Sequence, residues 1–446
     1  MKNILPYVAT LIAGLLPCTV TAHVMVPDRP IDAGDLIDIF ANPAPDVLHR
    51  IALLVEAGQY EQARKQLMLM RMQSPPHLEV LFLSGQIYAG IGDFHAAADE
   101  FRLMLARDAT LLRPRLELAH ALFMMRDYDG ASYHFQQVLA GNLPDEVRVK
   151  VLGFLAAIRE KLPSYSFTFD VISDSNPKQS TNSKTVTIGG RSYQLNTTAP
   201  DKKIWGQALS GSANIPLPGD PSWFAHVNAN MIDYPNSDND QLYVQATVGK
   251  HFGFNAKTLT LEIGHQLFDY RGRKLYSGMV WRVSEFLQQS NRSSWQAALQ
   301  GGQQTYPDYA YLSGWQYTFS LDNQFAQSAN SRWQSGASYS RNQAREAAYA
   351  YSTPSVYLRY VHEWQGGIIS GIRVQKSLSD YSGVDPFFGL VRHDREQRVE
   401  VDILNRSWDI WEVTPRLLLG SIEHTSNMTL YGFRRNYVKI GVSREF

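Results

Sequence analysis

The stretch Val356-Tyr357-Leu358-Arg359-Tyr360-Val361-His362-Glu363-Trp364 decides the fold. Val356, Leu358, Tyr360 and Trp364 alternate with Tyr357, Arg359, Val361 and Glu363. Successive side chains of a strand point to opposite faces, so this segment has one largely apolar face and one polar face. The pattern recurs at 258–268, where Leu259, Leu261, Ile263 and Leu267 alternate with Thr260, Glu262 and Gln266. It recurs again at 398–403, where Val399, Val401 and Ile403 alternate with Arg398, Glu400 and Asp402. Carried outward, it predicts strands at 165–173, 204–215, 223–233, 241–252, 257–268, 275–286, 292–303, 312–322, 331–341, 354–364, 367–378, 395–405, 412–424 and 434–446. That is about fourteen strands, an even number, most of them long enough to cross a bilayer at a tilt.

Other signals point the same way. Trp205, Trp223, Trp295, Trp315, Trp333 and Trp364 fall near segment ends, as interfacial aromatic girdles do. If the first strand runs outward, the odd-numbered connections are external and include the longest, 174–203, 342–351 and 379–394, while 253–256 and 365–367 are short inner turns. The chain closes on Val438, Ile440, Val442 and Phe446 in alternation, a last strand that barrel-insertion machinery reads through its terminal aromatic. A soluble β-sandwich or propeller is the competing reading; it lacks a reason for the strand parity, the loop asymmetry and the aromatic ends.

The region before residue 163 has a different character. All nine Trp lie after it, and 45–163 is rich in Ala, Leu and Met, which favour helix. Three motifs recur there: Gly58-Gln59-Tyr60-Glu61-Gln62-Ala63, Gly92-Asp93-Phe94-His95-Ala96-Ala97 and Arg126-Asp127-Tyr128-Asp129-Gly130-Ala131. The spacing is that of the tetratricopeptide repeat, ~34 residues and two antiparallel helices per unit. Gly85 and Ala119 are small where helices cross. Ala63, Ala97 and Ala131 open each second helix, Leu67, Phe101 and Phe135 fill the space between helices, and Pro75 ends the first unit. Residues 145–161 close the array, and Pro163 marks the boundary. Stacked repeats of this kind either space domains apart or form a groove for another polypeptide.

Residues 1–22 carry Lys2, an apolar run at 4–16 and Val20-Thr21-Ala22, the pattern of a Sec signal peptide cleaved after Ala22. The expected layout is therefore a signal peptide at 1–22, a linker at 23–44, a periplasmic helical repeat domain at 45–163 and an outer-membrane barrel at 164–446. In fold class this is α+β multidomain, an N-terminal tetratricopeptide-like domain followed by an antiparallel transmembrane β-barrel of about fourteen strands.

Composition narrows the chemistry. Among 446 residues, 42 are Lys or Arg and 42 are Asp or Glu, which argues against a nucleic-acid partner. The single cysteine, Cys18, leaves no disulfide scaffold and no cysteine-ligated metal. There is no P-loop, no Gly-x-Ser-x-Gly and no His-Glu-x-x-His. His49, His77, His95, His120 and His134 read as solvated or packed, and Glu400 with Asp402 as lumen lining in place of an acid–base pair. The expectation is a non-enzyme with no cofactor and no metal.

The order of export signal, three repeats and barrel resembles the surface lipoprotein assembly modulator (Slam) family. The resemblance includes Phe167-Thr168-Phe169-Asp170 leading to Asp174-Ser175-Asn176, an Asp-x-Asn step just past the domain boundary; Pro177 directly after it departs from the family's pattern. It implies a translocon that moves client proteins from periplasm to cell surface. The clients would be surface lipoproteins such as host-iron-carrier receptors, or related soluble haem-binding proteins. The repeats would engage the client and the barrel would give the route, with periplasmic chaperones, barrel-insertion machinery and outer-membrane lipid as further partners. About fourteen strands leave a narrow lumen, so a client passes unfolded, in hairpins, or through a lateral opening. Arg359, Glu363, Arg373, Arg398, Glu400 and Asp402 are the expected lumen-facing client contacts. Gly58, Ala63, Gly85, Gly92, Ala97, Phe101, Ala131 and Phe135 are the repeat's turn and packing positions. Two rivals remain: an exopolysaccharide-exporting repeat/barrel porin, which usually has a longer repeat array, and a passive porin, which has no use for repeats.

Overall fold

The structure is a computed structural model and describes residues 46–71, 77–188, 190–196, 203–235, 239–254, 256–408 and 413–444. The signal peptide with Ala22, the linker at 23–44, Pro75 and Phe446 lie outside the described residues.

Seven helices come first: α1 (Asp46–Glu56), α2 (Tyr60–Arg71), α3 (Leu78–Gly90), α4 (Phe94–Arg107), α5 (Leu112–Met124), α6 (Tyr128–Leu139) and α7 (Asp145–Lys161). The recurring motif is the turn inside each hairpin. Gly58, Gly92 and Arg126 occupy it with φ of 69°, 85° and 64°, a left-handed conformation natural to glycine and costly for arginine. The aspartate that follows caps the next helix: Asp93 accepts from the Ala96 N–H and Asp127 from the Gly130 N–H, each at 3.1 Å. Ala63, Ala97 and Ala131 are fully buried, and Phe101 and Phe135 fill the core between hairpins. Gly85 is small by necessity, because a Cβ there would sit 2.6 Å from the Phe101 ring. One continuous apolar core runs from Leu81 to Leu162, and a second joins α1, α2 and α3.

The strands follow: β1 (Ser164–Asp174), β2 (Thr185–Ile188), β3 (Arg191–Gln194), β4 (Ile204–Pro216), β5 (Trp223–Asp233), β6 (Gln241–Phe254), β7 (Lys257–Tyr270), β8 (Arg273–Gln288), β9 (Ser293–Gln304), β10 (Gly314–Ser328), β11 (Ser331–Ala344), β12 (Tyr351–Glu363), β13 (Ile368–Val384), β14 (Val391–Asn405), β15 (Thr414–Ser426) and β16 (Phe433–Ser443). β2 and β3 pair as a separate hairpin within the first outer connection. The other fourteen form a closed antiparallel barrel in which β1 meets both β4 and β16. Closure removes every open edge, the condition for a sheet to survive in hydrocarbon.

The fourteen expected strands are all present, but several connections are shorter than the sequence suggested, among them the inner one after β10, a strand that runs to Ser328. β11 continues to Ala344, β13 to Val384, and β14 starts at Val391. Polar residues such as Ser379, Asp380 and Asp394 do not end a ladder, since the backbone pairs as well in water as in lipid. The β7–β8 connection is a two-residue turn at Arg271 and Gly272, with φ of 59° and 70°.

The register sets the two faces. Ile263, Val356 and Ile440 lie on the outer face and are 56%, 57% and 58% exposed. Phe319, Val374, Leu358 and Leu419 belong to the same exposed belt. So large an apolar surface is stable only against lipid. No helix among the described residues is long and apolar enough to cross a membrane; this chain crosses with strands.

Candidate functional site

The lumen and its inner mouth, the end where β1 leaves the helices, hold the polar chemistry of the molecule. Strand pairing places Arg359, Arg373, Glu400 and Asp402 in two adjacent inward rows, with Arg398 one row further out. They are held by partners within the same wall. Arg359 Nη2 donates to both oxygens of Asp402 at 2.9 and 3.0 Å. Arg398 donates to Glu396 at 3.1 Å, and the Tyr437 hydroxyl donates to Glu400 at 2.5 Å. Arg373 lies over the Tyr357 ring at 4.1 Å. The same wall holds Arg416 against Asp170 and Arg392 against Asp394. These pairs keep the charged wall in register across β12 to β16 and β1.

The opposite wall is different. Inward positions of β4, β5, β6 and β9 carry Ser210, Ser212, Asn228, Asn230, Gln245, Thr247, Gln296 and Gln300. Amides and hydroxyls both donate and accept, so most of this wall can meet any backbone group; β7 and β8 set Glu262 and Arg282 among them, and the Thr247 hydroxyl donates to Glu262 at 2.9 Å.

Glu363, the sixth expected lumen residue, stands at the inner end and does not face open space. Arg115, fully buried on α5, donates to its carboxylate at 2.8 Å. Around this pair the helices dock into the mouth. Tyr133 of α6 lies beneath two barrel guanidiniums, Arg406 at 3.7 Å and Arg332 at 4.6 Å from its ring centre. It also packs on Val361 and Ile369. The His134 ring lies between Arg115 and Arg406, each 3.3 Å from one of its nitrogens. Burial and the surrounding arginines, Arg406, Arg115, Arg102 and Arg332, hold its pKa well below the usual histidine value. Gln324 of β10 donates to Gln136 at 3.0 Å. On the far side, Arg159 and Glu160 of α7 bond to the Thr258 hydroxyl of β7, and Arg159 stacks on Phe286 of β8 at 4.1 Å. α6 touches both β1 and β10, strands that face each other across the ring. The helices therefore span the mouth.

A second cluster locks the barrel's seam. Asp174, fully buried at the outer end of β1, accepts from Arg435 Nε and Nη2 at 2.9 and 2.7 Å and from the Tyr234 hydroxyl at 2.8 Å. Its other oxygen accepts from the Asn176 N–H at 2.9 Å. Asn176 in turn donates to the Arg434 carbonyl of β16 at 3.2 Å and to that of Ser180 at 2.8 Å. The Asp-x-Asn step thus ties β1 to β16 and to the end of β5.

Sequence reading alone did not single out Arg115, Tyr133, Arg332, Arg406 or Arg435; His134, read as solvated or packed, is packed. One signal was available for Arg115. It shares a helix face with the buried Ala119 and Leu122, and a charge in an apolar stripe calls for a buried partner. Among the described residues no group of three His, Cys, Asp or Glu is placed to hold a metal ion.

Residues 164–446 match the family described as surface lipoprotein assembly modifier. Relatives include surface lipoprotein assembly modifier 1 of Haemophilus influenzae, 23% identical over 380 residues that span 80% of this chain and 75% of the relative. The surface lipoprotein assembly modifier of Moraxella catarrhalis is 24% identical over 374 residues, 80% of this chain and 70% of that one. Among solved structures, the outer membrane channel DcaP of Acinetobacter baumannii overlaps 64% of this chain and 98% of its own, at 9% identity and a TM-score of 0.37.

Proposed function

The chain belongs to the surface lipoprotein assembly modifier family, and from that premise we propose that it carries specific client proteins from periplasm to cell surface. It is an outer-membrane barrel, and the work named by its relatives is surface lipoprotein assembly. The clients in this reading are surface lipoproteins such as host-iron-carrier receptors, or related soluble haem-binding proteins. Phe446 would hand the nascent barrel to the insertion machinery, and periplasmic chaperones would deliver clients to the repeats.

The observation that carries the proposal is the closed fourteen-strand barrel with a helical repeat domain seated in its inner mouth. A passive porin has no use for such a domain. A lumen this narrow admits an extended chain or a hairpin, not a folded domain. The amide-rich wall of Asn228, Asn230, Gln245 and Gln300, with Glu262 and Arg282 set in it, offers an extended backbone alternating donors and acceptors. The charged wall is occupied by its own pairs, so Arg359, Arg398, Glu400 and Asp402 act mainly to keep the wall open. Folding of the client outside makes passage irreversible without a nucleotide.

The test is deletion of the gene, followed by protease digestion of intact cells and detection of candidate lipoproteins. Loss of surface exposure for one or a few, with unchanged total amounts, supports the proposal. Unchanged display of all of them refutes it.

A further inference from the structure

We propose that the helical domain, moving as one body, is a movable gate of the lumen, with α6 and α7 as the part that fills the mouth, and that Glu363 is the latch that holds it closed. α6 bridges β1 and β10, and the α6–α7 pair reaches inward-facing side chains on β7, β8, β10, β11, β12 and β13. No unfolded client can enter from the helical side while they stay there.

The way they are held differs from the way the helical domain itself is held. Inside the domain the helices share a broad apolar core from Leu81 to Leu162. At the mouth the buried apolar contact is small: Tyr133 on Val361 and Ile369, backed by Leu404, with Leu105 and Ala106 of α4 beside the turn at Gln365–Gly367. The rest is charge and polarity: Arg115 on Glu363, two guanidiniums on Tyr133, Gln324 on Gln136, and Arg159 and Glu160 on Thr258 with Arg159 over Phe286. A buried ion pair gains little over two separately hydrated ions, so such a contact can release, whereas a broad apolar interface cannot.

The charges are also unbalanced. A cavity of about 20 Å³ at this interface is lined by Arg102, His134, Arg406 and Glu363, among apolar residues and Thr414. Arg115 and Arg332 stand beside it. Glu363 is the acid in that lining. With it, Arg115 of α5, Arg332 of β11 and Arg406 of the turn after β14 can share one site, while Arg102 of α4 also pairs with Asp99 at 3.2 Å. Without it, like charges face one another in a buried space and drive the helices out. Glu363 comes from the barrel and Arg115 from the helices, so the pair exists only in the closed arrangement.

The gate can be read independently of any client. Purified full-length protein in planar bilayers gives the open fraction as ion conductance. Glu363→Gln keeps the shape and removes the charge; it is expected to raise the open fraction by about tenfold or more. Tyr133→Ala, which removes the ring under Arg332 and Arg406, acts in the same direction and serves if the first variant fails to fold. Heat-dependent mobility in dodecyl sulfate gels checks the barrel in both. In the converse experiment, Gln136→Cys and Gln324→Cys are joined by a short bis-methanethiosulfonate linker. Cys18, in the expected signal peptide, is the sole native cysteine. The linked protein is expected to stay closed even with Glu363→Gln, and to open when dithiothreitol cleaves the linker. Conductance of both single variants at the wild-type level overturns the proposal, as does a linked protein that conducts like the unlinked one. The gate rests on the export reading only in its cellular form, in which linking stops client display reversibly. If deletion of the gene changes no client, the bilayer result still decides the gate.

Discussion

Asp174→Asn is the sharpest test of what holds the barrel shut. The substitution changes one atom's identity and the charge, at a fully buried position. Asp174 accepts two hydrogen bonds from Arg435, one from the Tyr234 hydroxyl and one from the Asn176 N–H. An asparagine keeps one carbonyl oxygen but sets an amide donor where donors now point, and it leaves Arg435 without its acid. Removing one partner of a buried pair costs ~3–5 kcal/mol. Because the Arg435 side chain is 18% exposed, the lower end, ~3 kcal/mol, is expected. Tyr234→Phe removes a single bond to a charged acceptor and should cost ~1.5–2 kcal/mol. The double variant should cost less than the sum, since the tyrosine acts through the aspartate. The assay is equilibrium urea unfolding in lipid vesicles, followed by tryptophan fluorescence. A change below ~0.5 kcal/mol for Asp174→Asn, about that of an ordinary surface substitution, would refute the account of the seam.

Gly441→Ala should damage the same seam by a different route. Its Cβ would stand 1.8 Å from the Phe169 carbonyl oxygen, a backbone atom that cannot turn aside, so the β1–β16 ladder opens locally; reduced heat resistance of the folded band on gels reads this. Arg126→Gly should raise stability by ~1 kcal/mol, because arginine holds φ of 64° where the other two repeats carry glycine; thermal melts followed by the helical dichroism signal check it. Acid should loosen the gate. His134 is held neutral by burial and by Arg406, Arg115, Arg102 and Arg332, with Glu363 and Tyr133 completing its surroundings. The undocked or unfolded ring has the ordinary value of 6.5 and binds a proton more readily than the docked one. Docking strength contributed by this residue is therefore complete above 6.5 and falls as pH drops below it. Conductance should rise over that range in wild type and flatten in His134→Gln; equal slopes would count against the assignment.

Much of this architecture is a matter of periodicity, and periodicity is written in the chain. Alternation at 356–364 and its counterparts located each of the fourteen barrel strands within a few residues, because a strand at a lipid boundary must show one apolar face whatever its neighbours do. The repeat was equally legible: Gly58, Gly92 and Arg126 mark the left-handed turns, and Ala63, Ala97 and Ala131 the close crossings. Register then followed for Arg359, Arg373, Arg398, Glu400 and Asp402, which share the inward face.

Pairing between distant residues was not legible. Arg115 and Glu363 are 248 positions apart, and Asp174 and Arg435 are 261 apart. Nothing local in either member names the other. Side-chain pattern determines which face a residue takes, since that depends only on its own strand or helix. Which charge it meets depends on how the helical domain seats in the mouth and where the barrel closes, and those are decided by the summed packing of the whole chain. That is why Glu363, read from its strand as one more lumen charge, proves to be paired with Arg115 where the helices seat in the barrel.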